Sequence, residues 1–373
     1  MYKTQDETDL DISKLFFEYP ELGNIDFSSA FHNRQDLVTL QHNCPSLDNL
    51  FSFVKSKSDN ANRHSSFFLE NYVLMRMWRD KHSCNFDDSE VTQIVAPKPI
   101  RSQLLRIVHD IPASGHLGIA KTKNILKKHF YWPTITKDVH QYVLSCDICQ
   151  RLGKGSKLPI ACLHPLPVMD EPFAIDIVGP LPICINTGNR FILTIIDNCT
   201  HFPEAISLVK HEAIDVVKAL VSVFSRYGFA HEILSDLGTE FLSDLMKVFL
   251  DEFDISYINT SSYHPATNGS CARFNGTMKS MIHALVDENA DDWDQSLPWG
   301  LFAYIEVPVE TLGFSALELL FSRTITGPLL LLKDAWLNGW KTVTSKKKSV
   351  VEVVLDMRGR LRSSISLANI HAE

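Results

Sequence analysis

Four side chains that commonly bind metal ions lie between residues 109 and 149. His109 and His116 are close together, and the CxxC pair Cys146 and Cys149 follows after an interval of 29 residues. Zn²⁺ prefers four tetrahedral nitrogen or sulfur ligands at about 2.0–2.3 Å. The set therefore predicts a structural zinc site. Four unrelated residues are the alternative, because an isolated CxxC is a weak signal.

Short helices would bring these four ligands together. A helix over residues 101–108 would end at His109, and a loop containing Gly115 would return His116 towards it. Pro133 suits the first turn of a third helix, which leads to Cys146. A unit this small buries little apolar surface, so the metal is expected to supply much of its folding energy.

Two aspartates further along the chain predict a second kind of metal site. Asp176 interrupts the apolar strand 173–180, and Asp236 ends a short strand that begins at Glu232. Between them lies an amphipathic helix that stops at Gly228. Carboxylates on adjacent strands supply the hard oxygen ligands that Mg²⁺ or Mn²⁺ prefers. Ordinary surface acids are the alternative interpretation.

After the two aspartates, another helix is predicted from Asn268 to about Val286. Its apolar stripe consists of Phe274, Met278, Met281, Ile282 and Leu285. At about 100° per residue, Ala272 falls nearly opposite that stripe, on the polar face that carries Asn275 and Lys279.

Three blocks of this sequence resemble the integrases of gypsy-type LTR retrotransposons. The first block contains residues 115–118, 131–133 and 146–150, the second contains the two aspartates, and the third is 263–275. In that family the residue before Arg-Phe-Asn is the third metal-binding carboxylate. Here that residue is Ala272, which follows Asp236 after an interval of 35 residues. The methyl group of alanine cannot coordinate a metal.

The resemblance implies an α/β fold, with an RNase H-like mixed five-stranded sheet and flanking helices, preceded by a small three-helix zinc-binding domain. The expected organisation is an acidic disordered segment 1–34, an N-terminal extension 35–98, a zinc-binding domain 99–157, a linker 158–172, a catalytic-core-like domain 173–330 and a helical tail 331–373. The tail repeats apolar residues at helical spacing, at Val350, Val353, Val354, Met357 and Leu361. The small basic β-barrel that usually follows in the family is not expected in this chain.

Charge is distributed unevenly along the chain. The net charge of −8 argues mildly against a protein that coats nucleic acid. Residues 101–157, however, contain ten basic and three acidic side chains, which makes this segment the expected DNA-binding surface. A solvated lysine-rich helix is the alternative. The predicted DNA contacts are Lys121, Lys127, Lys128, Arg273, Asn275 and Lys279.

The remaining features favour a nuclear or cytoplasmic protein. The acidic start lacks an apolar signal segment, and no apolar run approaches the roughly 18 residues of a membrane span. Apart from the CxxC pair, the cysteines are scattered, as in compartments that keep thiols reduced.

The sequence predicts an integrase-like, homo-oligomeric protein that binds structural Zn²⁺ and DNA and is catalytically impaired. In the family, two metal ions about 3.5–4 Å apart activate the attacking oxygen and stabilise the leaving one. Asp176 and Asp236 could still hold Mg²⁺ or Mn²⁺, but Ala272 removes a ligand of the second ion. Two alternatives stay open: an active Mg²⁺-dependent polynucleotidyl transferase, and a non-enzymatic interaction module or relic reading frame.

Overall fold

A computed structural model describes residues 34–54, 65–79, 90–152, 173–236, 238–259, 269–286, 292–309, 313–323 and 325–338. The predicted disordered segment up to residue 33, the linker and the periodic segment 350–361 lie outside these ranges. The chain divides into two compact units. The first comprises residues 1–112, 126–135 and 328–343, and the second comprises 113–125, 136–327 and 344–373.

Helices and strands are interspersed along the described residues. Up to residue 152 they are α1 (Arg34–His42), α2 (Asp48–Phe51), β1 (Ser65–Glu70), β2 (Val73–Arg79), β3 (Glu90–Val95), α3 (Lys98–His109), α4 (Ile119–His129), β4 (Phe130–Tyr131), α5 (Ile135–Ser145) and α6 (Asp147–Arg151). From residue 173 they are β5 (Phe173–Val178), β6 (Phe191–Asp197), β7 (Pro203–Leu208), α7 (Ala213–Tyr227), β8 (Glu232–Ser235), α8 (Asp244–Glu252), β9 (Ser256–Asn259), α9 (Gly269–Leu285), α10 (Trp293–Glu306), α11 (Ala316–Phe321) and α12 (Pro328–Asn338). None of these described helices is long and apolar enough to cross a membrane.

The sequence of the N-terminal extension predicts one helix around residues 37–54, but the structure has two separate helices there. α1 ends at His42, and Cys44 adopts an extended conformation (φ −101°, ψ 103°) before the 3₁₀ turn that starts at Pro45. The proline ring disfavours helical backbone at the preceding residue and cannot donate a backbone hydrogen bond. The prediction of one continuous helix was therefore wrong at this proline.

A buried glutamine joins α1 to the sheet of the first unit. That sheet has the order β1-β2-β3-β4, antiparallel except for the parallel β3–β4 pair. Gln41 Nε2 donates to the carbonyl oxygens of Leu74 (3.1 Å) and Val95 (2.7 Å), and Gln41 Oε1 accepts from Leu74 N at 2.8 Å. Because all three bonds are buried, the side chain replaces the water that these groups would otherwise need.

His129 makes the first unit sensitive to acid. Burial, together with the positive charges of Lys333 and Lys128, lowers the pKa of this side chain to about 3. A base whose folded-state pKa lies below its ordinary value of 6.5 stabilises the fold above pH 6.5, and that stability is lost as the pH falls.

We therefore expect the free energy of unfolding to fall by about 1.4 kcal/mol per pH unit below the ordinary histidine pKa. The measurement is denaturant unfolding from pH 7 to 4, comparing wild type with His129→Gln, which should flatten this slope. His140→Gln is the matched control because His140 is exposed on α5. A slope unchanged in His129→Gln would contradict the assignment.

The second unit is built on a five-stranded sheet with the order β7-β6-β5-β8-β9. β5, β6 and β7 are antiparallel, whereas β8 runs parallel to β5 and β9 runs parallel to β8. This is the mixed RNase H-like arrangement that the sequence predicts. One face packs against α7 and α8, through a cluster that includes Ile175 and Leu193. The other face packs against α9 and α10, through a cluster that includes Val178 and Ile192.

Candidate metal centre and nucleic-acid interface

The four predicted zinc ligands lie together. His109 is the buried last residue of α3, Cys146 precedes α6, and Cys149 lies within α6. One ligand atom from each of these residues and from His116 lies within 4.8 Å of the other three. Within the described residues, no other three or more His, Cys, Asp or Glu side chains are grouped in this way.

The distances fit a tetrahedral zinc ion. The Sγ atoms of Cys146 and Cys149 lie 3.4 Å and 3.9 Å from His116 Nδ1. Zinc bonds of ordinary length place neighbouring tetrahedral ligands about 3.3–3.8 Å apart. Two nitrogen and two sulfur donors are also a common structural zinc set. His109, His116, Cys146 and Cys149 would hold the ion, and its role there would be structural.

Gly115 allows the chain to turn back at His116. Both residues have left-handed backbone, with φ +55° at Gly115 and 48° at His116. A Cβ atom at position 115 would lie 3.1 Å from Ala303 Cβ and 3.3 Å from Met281 Cγ. Glycine tolerates both the backbone angle and this close approach. The turn that presents His116 therefore packs against α9 and α10.

Asp176 on β5 and Asp236 immediately after β8 occupy matching positions on adjacent segments of the sheet. Ala174 is paired with Leu234 in the parallel β5–β8 ladder. Each aspartate lies two residues further along the chain, and neighbouring strands are about 4.8 Å apart. Because side chains alternate along a strand, Asp176 lies on the same sheet face as Ala174 and Val178, which is the face covered by α9.

α9 is fixed against the aspartates by contacts on both sides of Ala272. Cys271 packs with Ala174 and Leu234, and its Sγ lies 3.5 Å from Thr194 Oγ1. Asn275 Nδ2 donates to Asp176 Oδ2 at 2.7 Å. Ala272 itself is exposed, one helical turn before Asn275. An acidic side chain at position 272 would therefore begin one helical turn from Asn275, the residue that binds Asp176.

The carboxylates of Asp176 and Asp236 repel each other electrostatically. Burial raises the pKa of Asp176, the nearby charge of Asp236 raises it further, and hydrogen bonds from Ile177 N and Asn275 together with the Lys279 charge oppose the rise. Two adjacent carboxylates repel each other, and a divalent cation between them relieves that repulsion. The pair therefore has the chemistry of a cation site with two carboxylate ligands.

The six predicted DNA contacts fall into both compact units. Lys121, Arg273, Asn275 and Lys279 belong to the second unit, whereas Lys127 and Lys128 belong to the first. Asn275 is buried, only 6% exposed, and binds Asp176. Lys127 and Lys128 are half-buried on α4, where the carbonyl oxygen of Lys127 accepts a hydrogen bond from Gln93 Nε2.

Two of the basic side chains meet at Tyr304. Lys121 Nζ lies 5.2 Å from the centroid of the Tyr304 ring. Burial raises the pKa of this tyrosine, and the positive charge of Arg273 opposes that rise. Arg273 also reinforces the effect of burial in lowering the pKa of His201. Lys121 and Arg273 thus carry positive charge near Tyr304, whereas Lys279 carries it near Asp176. We call these three residues the basic patch.

Comparison with known proteins supports the zinc assignment. Residues 96–154 match the family described as the integrase zinc binding domain, and this range contains all four converging ligands. This segment is similar to integrase zinc-binding domains.

The integrase similarity extends beyond the zinc-binding segment. The chain is 29% identical over 246 residues to the retrovirus-related Pol polyprotein from transposon 412 of Drosophila melanogaster, covering 64% of this chain and 19% of that protein. It is 25% identical over 236 residues to the human gypsy retrotransposon integrase-like protein 1, covering 62% of this chain and 44% of that protein. The mouse protein of the same name is 25% identical over 221 residues, covering 57% of this chain and 40% of that protein.

Among solved structures, the chain matches the intasome of simian T-cell lymphotropic virus in complex with a PP2A regulatory subunit, with a TM-score of 0.37 and 16% identity, covering 56% of this chain and 73% of that chain. The chain spans less than half the length of the curated relatives described above. It is similar to these retrotransposon-related and integrase-like proteins over 221 to 246 residues.

Sequence reasoning missed several neighbours of the integrase-like site. Thr194 and Cys271 support α9 beside the aspartates, and Tyr304 brings Lys121 and Arg273 together. Thr194 could have been found from its place as the one polar residue inside the apolar strand 192–196. The contacts of Tyr304 depend on the packing of α10 beside α9, which periodicity alone does not specify.

Proposed function

We propose that this chain is an integrase-like protein that binds zinc and DNA and does not join DNA strands. The observation that carries the proposal is Ala272, an exposed alanine on the helix that lies against Asp176 and Asp236. Strand transfer by a two-metal mechanism needs both the attacking and the leaving oxygen to be held by metal. A site with two carboxylates and an alanine lacks a ligand for the second ion.

The aspartate pair would hold one Mg²⁺ or Mn²⁺ in this proposal. Carboxylate oxygens suit these hard cations, and the negative charge of Asp236 close to Asp176 favours their binding. When bound, the ion would neutralise the pair and attract a phosphate oxygen. Asn275 would keep Asp176 in position through its 2.7 Å hydrogen bond.

DNA binding is expected at the basic patch, because Lys279 places positive charge near Asp176, and Lys121 and Arg273 add positive charge near Tyr304. The net charge of −8 makes binding elsewhere on the surface unfavourable. Phosphate contacts release counterions, so the logarithm of the affinity should fall linearly with the logarithm of the salt concentration. We expect the protein to act in the nucleus or cytoplasm and to form homo-oligomers on DNA.

The test is fluorescence anisotropy with a short duplex at several salt concentrations. Lys279→Ala should weaken binding and reduce the salt slope by about 0.9, as loss of one phosphate contact does in B-DNA. Lys247→Ala is the matched control, since Lys247 is an exposed lysine on α8 that pairs with Asp244. Absence of duplex binding at low salt, or equal effects of both variants, would overturn the DNA-binding proposal.

A further inference from the structure

An apolar surface is exposed on the opposite sheet face from the aspartates. Along α8, Met246, Phe249 and Leu250 are buried in the core, whereas other apolar side chains around the same helix face outwards. These exposed residues, which we call the α8 face, are Phe229, Leu242, Leu245, Val248 and Phe253. A contiguous exposed apolar patch often marks an interaction site.

The residues of the α8 face are arranged as one surface. Leu245 and Val248 are three residues apart and lie along one side of α8, and Leu242 lies just before the helix begins at Asp244. Phe253 follows the helix end and stacks on Phe229, with ring centroids 4.2 Å apart and planes inclined by 9°. Val248 is the most exposed of the five, at 63%. A partner would therefore need an apolar stripe of similar length.

Acidic side chains surround the α8 face. Residues 240–254 contain five acids (Glu240, Asp244, Asp251, Glu252 and Asp254) and one base, Lys247, which gives a net charge of −4. Lys247 Nζ forms a salt bridge with Asp244 Oδ1 at 2.9 Å. A suitable occupant is therefore both apolar and basic, since complementary charge directs association and excludes acidic partners.

One segment of this chain outside the described residues has this chemistry. Its apolar positions, Val350, Val353, Val354, Met357 and Leu361, repeat at helical spacing. Residues 345–362 contain six bases and two acids, a net charge of +4 against the −4 around α8. As a helix, the twelve residues 350–361 would be about 18 Å long, compared with about 14 Å for the nine residues of α8.

We propose that residues 350–361 dock on the α8 face of the same chain. Val350, Val353, Val354, Met357 and Leu361 cover the exposed apolar residues, and Arg358, Arg360 and Arg362 approach the acids near the end of α8. Eleven residues separate Asn338 from Val350, and such a connection can span up to about 36 Å. The docking site is separate from the zinc cluster and from the aspartate pair.

Site-specific photocrosslinking in the zinc-loaded full chain tests the docking. A benzophenone amino acid replaces Val248, and tryptic peptides are mapped by mass spectrometry. We expect crosslinks from position 248 to the tryptic peptide Ser349–Arg358. Their yield should fall several-fold in the variant Asp251→Lys, because one complementary charge is reversed. The same probe at Ile185, which is apolar and 73% exposed but lies outside the α8 face, is the control and should not label that peptide.

Mixing isotopically labelled and unlabelled protein separates docking within one chain from docking between copies. Crosslinks within single copies support the proposal. Crosslinks that join labelled to unlabelled copies assign the α8 face to a second copy and overturn it. Crosslinks that reach other segments, or none that reach residues 349–358, overturn it as well.

Discussion

Cys149→Ser should remove zinc from the protein and unfold the surrounding segment. The substitution takes one of two thiolates from a set whose ligand atoms lie within 4.8 Å of one another. Apparent zinc-binding free energies of about 10–16 kcal/mol in zinc-finger peptides show how much such a site contributes to folding. α3 to α6 are short helices, and the His116 turn holds left-handed backbone at two consecutive residues. The variant should therefore lose the protection of this segment.

The measurement combines zinc content per chain with amide hydrogen exchange over residues 96–152. Wild type should contain one zinc ion and exchange slowly in α3 and α5, whereas Cys149→Ser should contain none and exchange quickly there. Cys199→Ser is the matched control, because Cys199 is an exposed cysteine outside the cluster. Equal zinc content and equal protection in wild type and Cys149→Ser would show that these four residues do not hold a metal.

Ala272→Glu should strengthen Mn²⁺ binding by at least tenfold and allow a second ion to bind. Position 272 is exposed one turn before Asn275, whose amide donates to Asp176 at 2.7 Å. A glutamate there would add a third carboxylate beside a pair that already repels. Loss of supporting groups around metal ligands typically changes affinity by about 10–100-fold, so a direct ligand should change it at least as much.

Electron paramagnetic resonance measures the concentration of free Mn²⁺. The number of bound ions and their affinity follow from a titration. Ala272→Gln provides the control for side-chain size without the negative charge, and it should bind like wild type. Adding Asp236→Asn to Ala272→Glu should remove the gain, because the new ligand acts together with the pair. A gain equal in Ala272→Gln and Ala272→Glu, or none in either, would contradict the proposed geometry.

Local spacing was sufficient to predict that the four candidate zinc ligands converge and that Ala272 is exposed on α9. The four ligands belong to short segments whose turns are specified by Gly115 and the CxxC pair, and all four converge. The apolar period of α9 placed Ala272 opposite the buried stripe, and it is exposed. Both predictions depend on residues close in sequence, where geometry follows from helix and turn rules.

Contacts between distant segments were not available from the sequence. The hydrogen bond from Asn275 to Asp176 joins residues 99 positions apart, and Asn275 had been expected on the DNA-facing surface instead. Its burial follows from the close packing of α9 on β5, which periodicity does not measure. The break at Pro45 was also missed, although the proline itself is a local signal that opposes a continuous helix.

Strand transfer into a short duplex with Mn²⁺, measured for wild type and Ala272→Glu side by side, shows whether Ala272 is what prevents DNA joining. We expect no joined product from wild type, product from Ala272→Glu, and none after Asp176→Asn is added to Ala272→Glu. Strand transfer by the wild type at a rate that Ala272→Glu leaves unchanged would contradict this expectation, because another residue would then hold the second ion.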